Sequence, residues 1–160
     1  MRLLIAAVGK LKQGPERELC AHYLARAEAA GRALGIGPLS LIEVPESKGA
    51  TAASCRKQEA TALFAKLPSP HKLVCLDRTG EAMSSEAFAQ ALAKVRDEGA
   101  RTLAFLIGGA DGLGQEALVR ADRRLSLGAL TLPHGLARIV LAEQIYRAAT
   151  ILAGHPYHRR

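Results

Sequence analysis

Short apolar runs alternate with longer segments of helical character from one end of the chain to the other, and this alternation restricts the fold more than any other feature. The runs Arg2–Val8, Leu39–Val44, Lys72–Asp77, Thr102–Ile107 and Arg124–Leu127 are rich in Leu, Ile or Val and read as strands. Helices are expected over Pro15–Leu34, with proline at a first-turn position, and over Ala52–Leu67. Others follow over Ser85–Asp97, behind a Ser84 or Ser85 cap, over Gln115–Ala121, and from Gly135 to about Ala153. Successive βα units predict an α/β fold, with a mainly parallel sheet of about five strands covered by helices on both faces. At 160 residues, two enzyme domains do not fit, so residues 1–160 are expected to form a single domain. Prolines and glycines fall between the elements, and Pro45–Ala50 is the segment expected to be most mobile.

Hydrophobic residues make up 49% and charged residues 23%, which excludes wholesale disorder, and no stretch approaches the roughly 20 apolar residues of a spanning helix. The opening Met1–Gly9 is followed by Lys10 and Lys12 where a leader's cleavage site would stand, so it reads as a strand. Cys20, Cys55 and Cys75 are odd in number and widely spaced, without a CxxC pair. Reduced thiols, no metal site and a cytoplasmic location are expected.

The net charge of +7 is uneven. From Ala117 onward, arginines 120, 123, 124, 138, 147, 159 and 160 stand against Asp122 and Glu143, so seven minus two, or +5, lies in this segment. Arginine suits bidentate phosphate contacts and base stacking, which points to a polyanionic partner; a basic surface that only aids solubility is the alternative. In the last helix Leu136, Ile139, Val140, Leu141, Ile145, Tyr146, Ile151 and Leu152 surround the axis. A helix apolar on most sides needs cover on most sides, from its own sheet and a second subunit, so a homodimer is expected.

Three C-terminal segments carry candidate chemistry. The strand Phe105–Ile107 empties into Gly108, Gly109, Gly112 and Gly114, which suits close approach of a ligand to backbone groups beyond a strand's carboxyl end. Gly112–Ala117 also fits G-x-G-x-x-A, but Asp122 is too early and Glu143 too late for the fingerprint's acidic residue. Leu125–His134 forms an apolar stretch with backbone groups and few hydroxyls, suited to a flat heteroaromatic ring such as adenine or simply to an ordinary turn. The tail Gly154–Arg160 gathers two imidazoles, a phenol and two guanidiniums around Pro156.

In order and spacing, Leu106–Gly109 with Gly112-Leu113, Leu125–Leu127, Ala129–His134, Glu143–Ala148 and His155–Arg159 resemble the RlmH family of ribosomal RNA large-subunit methyltransferases, in the SPOUT superfamily. The resemblance covers the whole chain. It implies a C-terminal trefoil knot and S-adenosylmethionine-dependent N3-methylation of pseudouridine 1915 in 23S ribosomal RNA, performed by a homodimer on the assembled ribosome. Carried over by position, it implies cofactor contacts at Leu76, Gly109, Gly128, Ala129, Leu130, Thr131, Leu132 and Pro133. The chain departs from the family pattern at Ala110-Asp111, where Pro-Glu is common, and at Gly128, where Ser is common.

The imide N3–H of the target must lose its proton. His155, His158 or a backbone-assisted water is the expected proton acceptor, Arg159 the expected stabiliser of developing negative charge, and Tyr157 the expected stacking partner of the base. Two readings from other classes stand beside this one: a non-catalytic ribosome- or RNA-binding protein using the basic tail, and a nucleotide-dependent oxidoreductase built on Gly112–Ala117.

Overall fold

The computed structural model describes residues 1–158. Strands β1 (Arg2–Val8), β2 (Leu39–Val44), β3 (Lys72–Ala82), β4 (Thr102–Ile107) and β5 (Arg123–Ser126) form one sheet in the order β2-β1-β4-β3-β5. Every pairing is parallel. The near-continuous apolar runs of β1 and β4 are those of strands buried on both faces, and they pair at the centre, Ile5 opposite Phe105.

The helices are α1 (Pro15–Gly31), α2 (Ala52–Phe64), α3 (Ser85–Asp97), α4 (Gln115–Arg120) and α5 (His134–Leu152). Local chemistry fixes their ends. Pro15 opens α1, and a left-handed Gly35 ends the short 3₁₀ turn that follows it. Thr51 and Ser54 cap α2 reciprocally, and Ser84 accepts from the Ala87 N–H at the start of α3. One face of the sheet carries α1, α3 and α5 around Ile5, Phe88, Phe105 and Leu141; the other carries α2 and α4 around Leu63, Leu106 and Ala117.

Three sequence expectations change. Strand β3 runs past Asp77 to Ala82: Asp77 Oδ1 accepts from the Thr79 N–H at 2.8 Å, the chain bulges, and pairing with β5 resumes at Glu81 opposite Leu125. Segment 45–50 is pinned rather than loose, since Glu59 Oε1 accepts from the Ser47 N–H at 2.9 Å and the Cys55 thiol donates to the Gly49 carbonyl. The apolar girdle of α5 is largely covered by its own chain, with α1 and α3 on its flanks and β1 and β4 beneath. A narrow outward stripe is left, where Leu136 is 41% exposed and Val140 and Ile151 are partly exposed.

Candidate active site

Because the sheet is parallel, all its carboxyl ends lie along one edge, and the helix connections leave β1 and β4 toward opposite sides. That divergence is the switch point at which open α/β sheets bind ligands. The segment Leu127–Pro133 leaves β5 at one border of the sheet and ends at His134, whose Nε2 stands 3.0 Å from where a Cβ on Gly9 would lie, just beyond β1. The segment therefore crosses the ends of β3 and β4, a span of roughly 14 Å at about 4.8 Å per strand. Leu76 lies on β3 beside Leu125 of β5, and Gly109 follows the end of β4. The fold thus brings Leu76, Gly109 and the run from Gly128 to Pro133 to one end of the sheet. Leu130, at 84% exposed, projects outward from the run.

The two glycines after β4 have different tasks. A Cβ on Gly108 would overlap the backbone of Gly112, so this glycine closes the turn on itself. On Gly109 a Cβ would meet Val8 Cγ1 at 3.1 Å and Glu59 Oε2 at 3.3 Å. Gly114 lies against Arg56, and α4 spans only Gln115–Arg120.

Beneath the crossing segment, Arg138 of α5 is fully buried. It donates to Glu43 Oε1 at 2.5 Å and to the carbonyls of Val8 and Gly9 at 2.6 and 2.8 Å. Burial pushes the guanidinium below its ordinary range, and Glu43 opposes that shift. Arg138 is therefore no phosphate ligand. Other arginines of the basic C-terminal segment are also engaged: Arg147 pairs with Glu143, Arg123 with Glu81, and Arg120 stacks over Phe64. The charge excess is thus partly structural.

The tail is docked. Tyr157 donates to Glu143 Oε1 at 3.1 Å, and its ring lies 4.6 Å from that of Tyr146, with Arg147 5.0 Å from its centroid. Burial first, then the Glu143 carboxylate, push the phenol up to about 12. His158 Nε2 meets Glu86 Oε1 at 2.8 Å at the start of α3, whereas His155 is exposed and its Nδ1 accepts from the Tyr157 N–H. In this conformation the Tyr157 ring is packed on the protein rather than open to a base. Arg159, grouped with these residues from the sequence, lies outside the described residues.

Beside Glu86, Ser85 donates to the Gln144 amide oxygen at 2.8 Å. Both line a cavity of about 310 Å³ that continues to Ser126, Leu127 and Gly128, joining the tail's docking place to the crossing segment. Glu59, Glu86, Gln144 and Arg138 thus belong to the surroundings of the site. Gln144 had a sequence signal as part of the C-terminal motif and Arg138 as one of the arginines of the basic segment; Glu59 and Glu86 become visible only through contacts between distant elements.

Among the described residues, no helix is long and apolar enough to cross a membrane, and no group of three His, Cys, Asp or Glu side chains is placed to hold a metal ion.

Residues 1–158 match the family model described as predicted SPOUT methyltransferase. The chain is 51% identical to the ribosomal RNA large subunit methyltransferase H of Xanthobacter autotrophicus over 159 residues, covering 99% of each. It is 52% identical to the protein of that name from Rhodopseudomonas palustris strain HaA2, again with 99% of each covered. Among solved structures, a probable methyltransferase from Bordetella pertussis Tohama I superposes with a TM-score of 0.53 at 17% identity, over 92% of this chain and 96% of that one. A probable methylase family protein from Haemophilus influenzae Rd KW20 gives 0.51 at 14% identity, over 99% and 70%. At such identities these two likenesses speak for the fold alone.

Proposed function

Since the chain belongs to the SPOUT methyltransferase family, and within it groups with the ribosomal RNA large subunit methyltransferases H, we propose that it transfers a methyl group from S-adenosylmethionine to N3 of pseudouridine 1915 in 23S ribosomal RNA. It is an RNA methyltransferase; the cofactor, the nucleotide and the assembled ribosome as substrate form the proposal. The observation that carries it is the crossing of Leu127–Pro133 over the strand ends that hold Leu76 and Gly109. The family resemblance names these positions as cofactor contacts, and this fold gathers them. The trefoil knot and the cytoplasmic location rest on family membership in the same way.

The residues present suit this cofactor. A crossing segment with exposed backbone groups and Leu132 offers edge contacts and an apolar surface to adenine, and Gly109 permits close approach. When bound, S-adenosylmethionine would supply an electrophilic methyl group, with S-adenosylhomocysteine as the leaving group. Leu76, Gly109 and the run from Gly128 to Pro133 hold and orient the donor, and orientation does most of the work in such a displacement. An imidazole of the tail, His155 or His158, accepts the imide proton as the nitrogen–carbon bond forms. Glu86 holds His158 Nε2 in the docked tail, where Nδ1 is buried, so His158 acts as the base only once the tail moves. Tyr157 leaves Tyr146 to stack on the target base, and Arg159 stabilises the developing negative charge.

A homodimer is part of the proposal. The outward stripe of Leu136, Val140 and Ile151 supports it. The test is calorimetric titration with S-adenosylmethionine, S-adenosylhomocysteine and NADH, followed by methylation of ribosomes lacking the modification. Binding of the first two and methyl incorporation at the named nucleotide are expected. Absence of cofactor binding favours the non-catalytic RNA-binding reading, and NADH binding the oxidoreductase.

A further inference from the structure

The cavity of about 310 Å³ between α3, α5 and the end of β5 has walls of Met83, Phe88, Leu127 and Val140, and no charged side chain among the described residues lines it. Its polar side chains are Ser85, Ser126 and Gln144. A space at the small end of ligand pockets, apolar but for neutral hydrogen-bonding groups, suits a flat uncharged ring and offers nothing to a phosphate or an ammonium. Its position narrows the ring further. Gly128 at one end opens the run proposed to hold the cofactor. At the other, Ser85 adjoins Glu86, which holds His158, and Gln144 adjoins Glu143, which holds Tyr157. A ring seated here lies between the methyl donor's segment and the anchors of the tail, where a target base flipped out of the RNA would have to come.

Gln144 is held in one orientation. A carboxylate only accepts, so the amide nitrogen faces Glu143 and donates to its Oε2 at 2.6 Å, which leaves Oε1 to accept from the Ser85 hydroxyl at 2.8 Å. Each end of the amide keeps one position: a lone pair on Oε1 and an N–H on Nε2. Ser85 and Ser126 commit their protons to Gln144 and to the Gly128 carbonyl, so among the described residues Gln144 is the cavity's free side-chain donor. We propose that Gln144 reads the N1–H and C2 carbonyl of pseudouridine and so sets the preference for that base over uridine. Superposed on the glycosidic bond, uridine keeps a carbonyl where pseudouridine has C2=O but presents C5–H in place of N1–H. Against uridine the amide oxygen therefore loses its donor. The two bonds engage one edge of the ring and leave N3, on the other side of the carbonyl, free for the methyl group and the proton acceptor. The assignment rests on the reading of the chain as a pseudouridine N3-methyltransferase and adds how that base is recognised.

The substrates are two ribosome preparations lacking the methyl group, one with pseudouridine at position 1915 and one, from cells without the synthase that makes it, with uridine. The parent should methylate the first with a kcat/KM at least about tenfold above the second, the range of one hydrogen bond whose loss strands a polar group. Gln144→Leu removes both amide groups and leaves Glu143 Oε1 on Arg147 and Tyr157. Pseudouridine ribosomes should then lose at least about tenfold more than uridine ribosomes, erasing the preference. Affinity for S-adenosylhomocysteine should stay within about twofold of the parent. Equal loss on both substrates, a preference that survives in the variant, or none in the parent overturns the assignment. Loss of S-adenosylhomocysteine binding overturns it as well and gives the cavity to the cofactor's adenine. If Gln144→Leu does not fold, Gln144→Asn, which retracts the amide by one methylene, must show a reduced preference, and a full preference overturns the proposal. A parent that methylates neither ribosome refutes the pseudouridine reading itself, an outcome separate from all of these.

Discussion

The phenol of Tyr157 donates to Glu143 Oε1 at 3.1 Å, and the same oxygen takes the Arg147 guanidinium at 2.5 Å. One carboxylate on α5 thereby holds both its own helix neighbour, four residues on, and the tail that follows the helix.

The hold on the tail should depend on pH in a defined direction. The Tyr157 phenol is raised from its ordinary 10.0 to about 12, so the neutral, docked form is favoured below pH 10 and lost as pH rises through about 12. Glu143→Gln removes the carboxylate and should bring the phenol back toward 10. An absorbance titration of the parent, compared with Tyr157→Phe to isolate this residue among the three tyrosines, checks the shift. A Tyr157 that titrates normally in the parent would show that the tail does not dock.

A chain ending at Gly154 loses the Tyr157–Glu143 and His158–Glu86 contacts but no part of the sheet or the crossing segment. It should bind S-adenosylhomocysteine within about twofold of the parent and lose ribosome methylation by about a hundredfold or more, the range a general base contributes. Filter-bound radiolabel from methylated ribosomes is the measure. Full activity would remove the tail from the mechanism.

Arg138→Met should destabilise the fold by about 3–5 kcal/mol, because it leaves Glu43 without its partner in a largely buried place. The double variant with Glu43→Gln should recover part of that loss, since no charge is then stranded. Urea unfolding of the four proteins gives the coupling. A single-variant loss below about 1 kcal/mol, the range of an exposed pair, would contradict the burial described.

Gly108→Ala and Gly109→Ala should separate fold from site. At Gly108 the new methyl collides with the backbone of the same turn, so the protein should be severely destabilised or fail to fold. At Gly109 it meets Val8 and Glu59 at 3.1 and 3.3 Å, which a small shift of the turn relieves. That variant should fold with a loss of about 1 kcal/mol yet bind the cofactor at least tenfold more weakly, as thermal melting and calorimetry would report.

Leu136→Glu places a charge in the outward stripe of α5, where the side chain is 41% exposed and its loss leaves the core intact. Sedimentation equilibrium should show the parent at twice its chain mass and the variant at once. A monomeric parent would refute the dimer.

Much of the architecture was legible because each level of the sequence agrees with the next. The uninterrupted apolar runs of β1 and β4 announce central parallel strands, and Pro15, Thr51 and Ser84 mark helix starts with ordinary capping chemistry. The order of the strands was not legible, since each β1 residue pairs with a β4 residue 100 positions on and no local signal records such a partner. The extension of β3 was hidden by Asp77-Arg78-Thr79-Gly80, which reads as a turn and is one, but a turn inside a strand. The girdle of α5 was correctly seen as needing cover, yet composition cannot say that α1 and α3 supply most of it. Of the proposed cofactor site, Gly109 stood out through glycine content and the 128–133 run through motif spacing. Glu59, in its surroundings, did not, because a lone acid on a polar helix is conspicuous only once its burial is known.

The anchoring of α5 on the first strand sets the order in which the protein can become functional. Arg138 closes on the carbonyls of Val8 and Gly9 across about 130 residues of chain, and His134 rests on the same glycine. During synthesis β1, β2, β3 and β4 all emerge before either residue exists, so a nascent chain can assemble most of its sheet while the ligand crevice still lacks a roof. Contacts this distant in sequence form late because loop closure must precede them. If the chain binds S-adenosylmethionine as proposed, that binding needs α5 in place, and a product cut short before α5, which also lacks Leu141, Ile145 and Tyr146 of the core, should have no affinity for the cofactor.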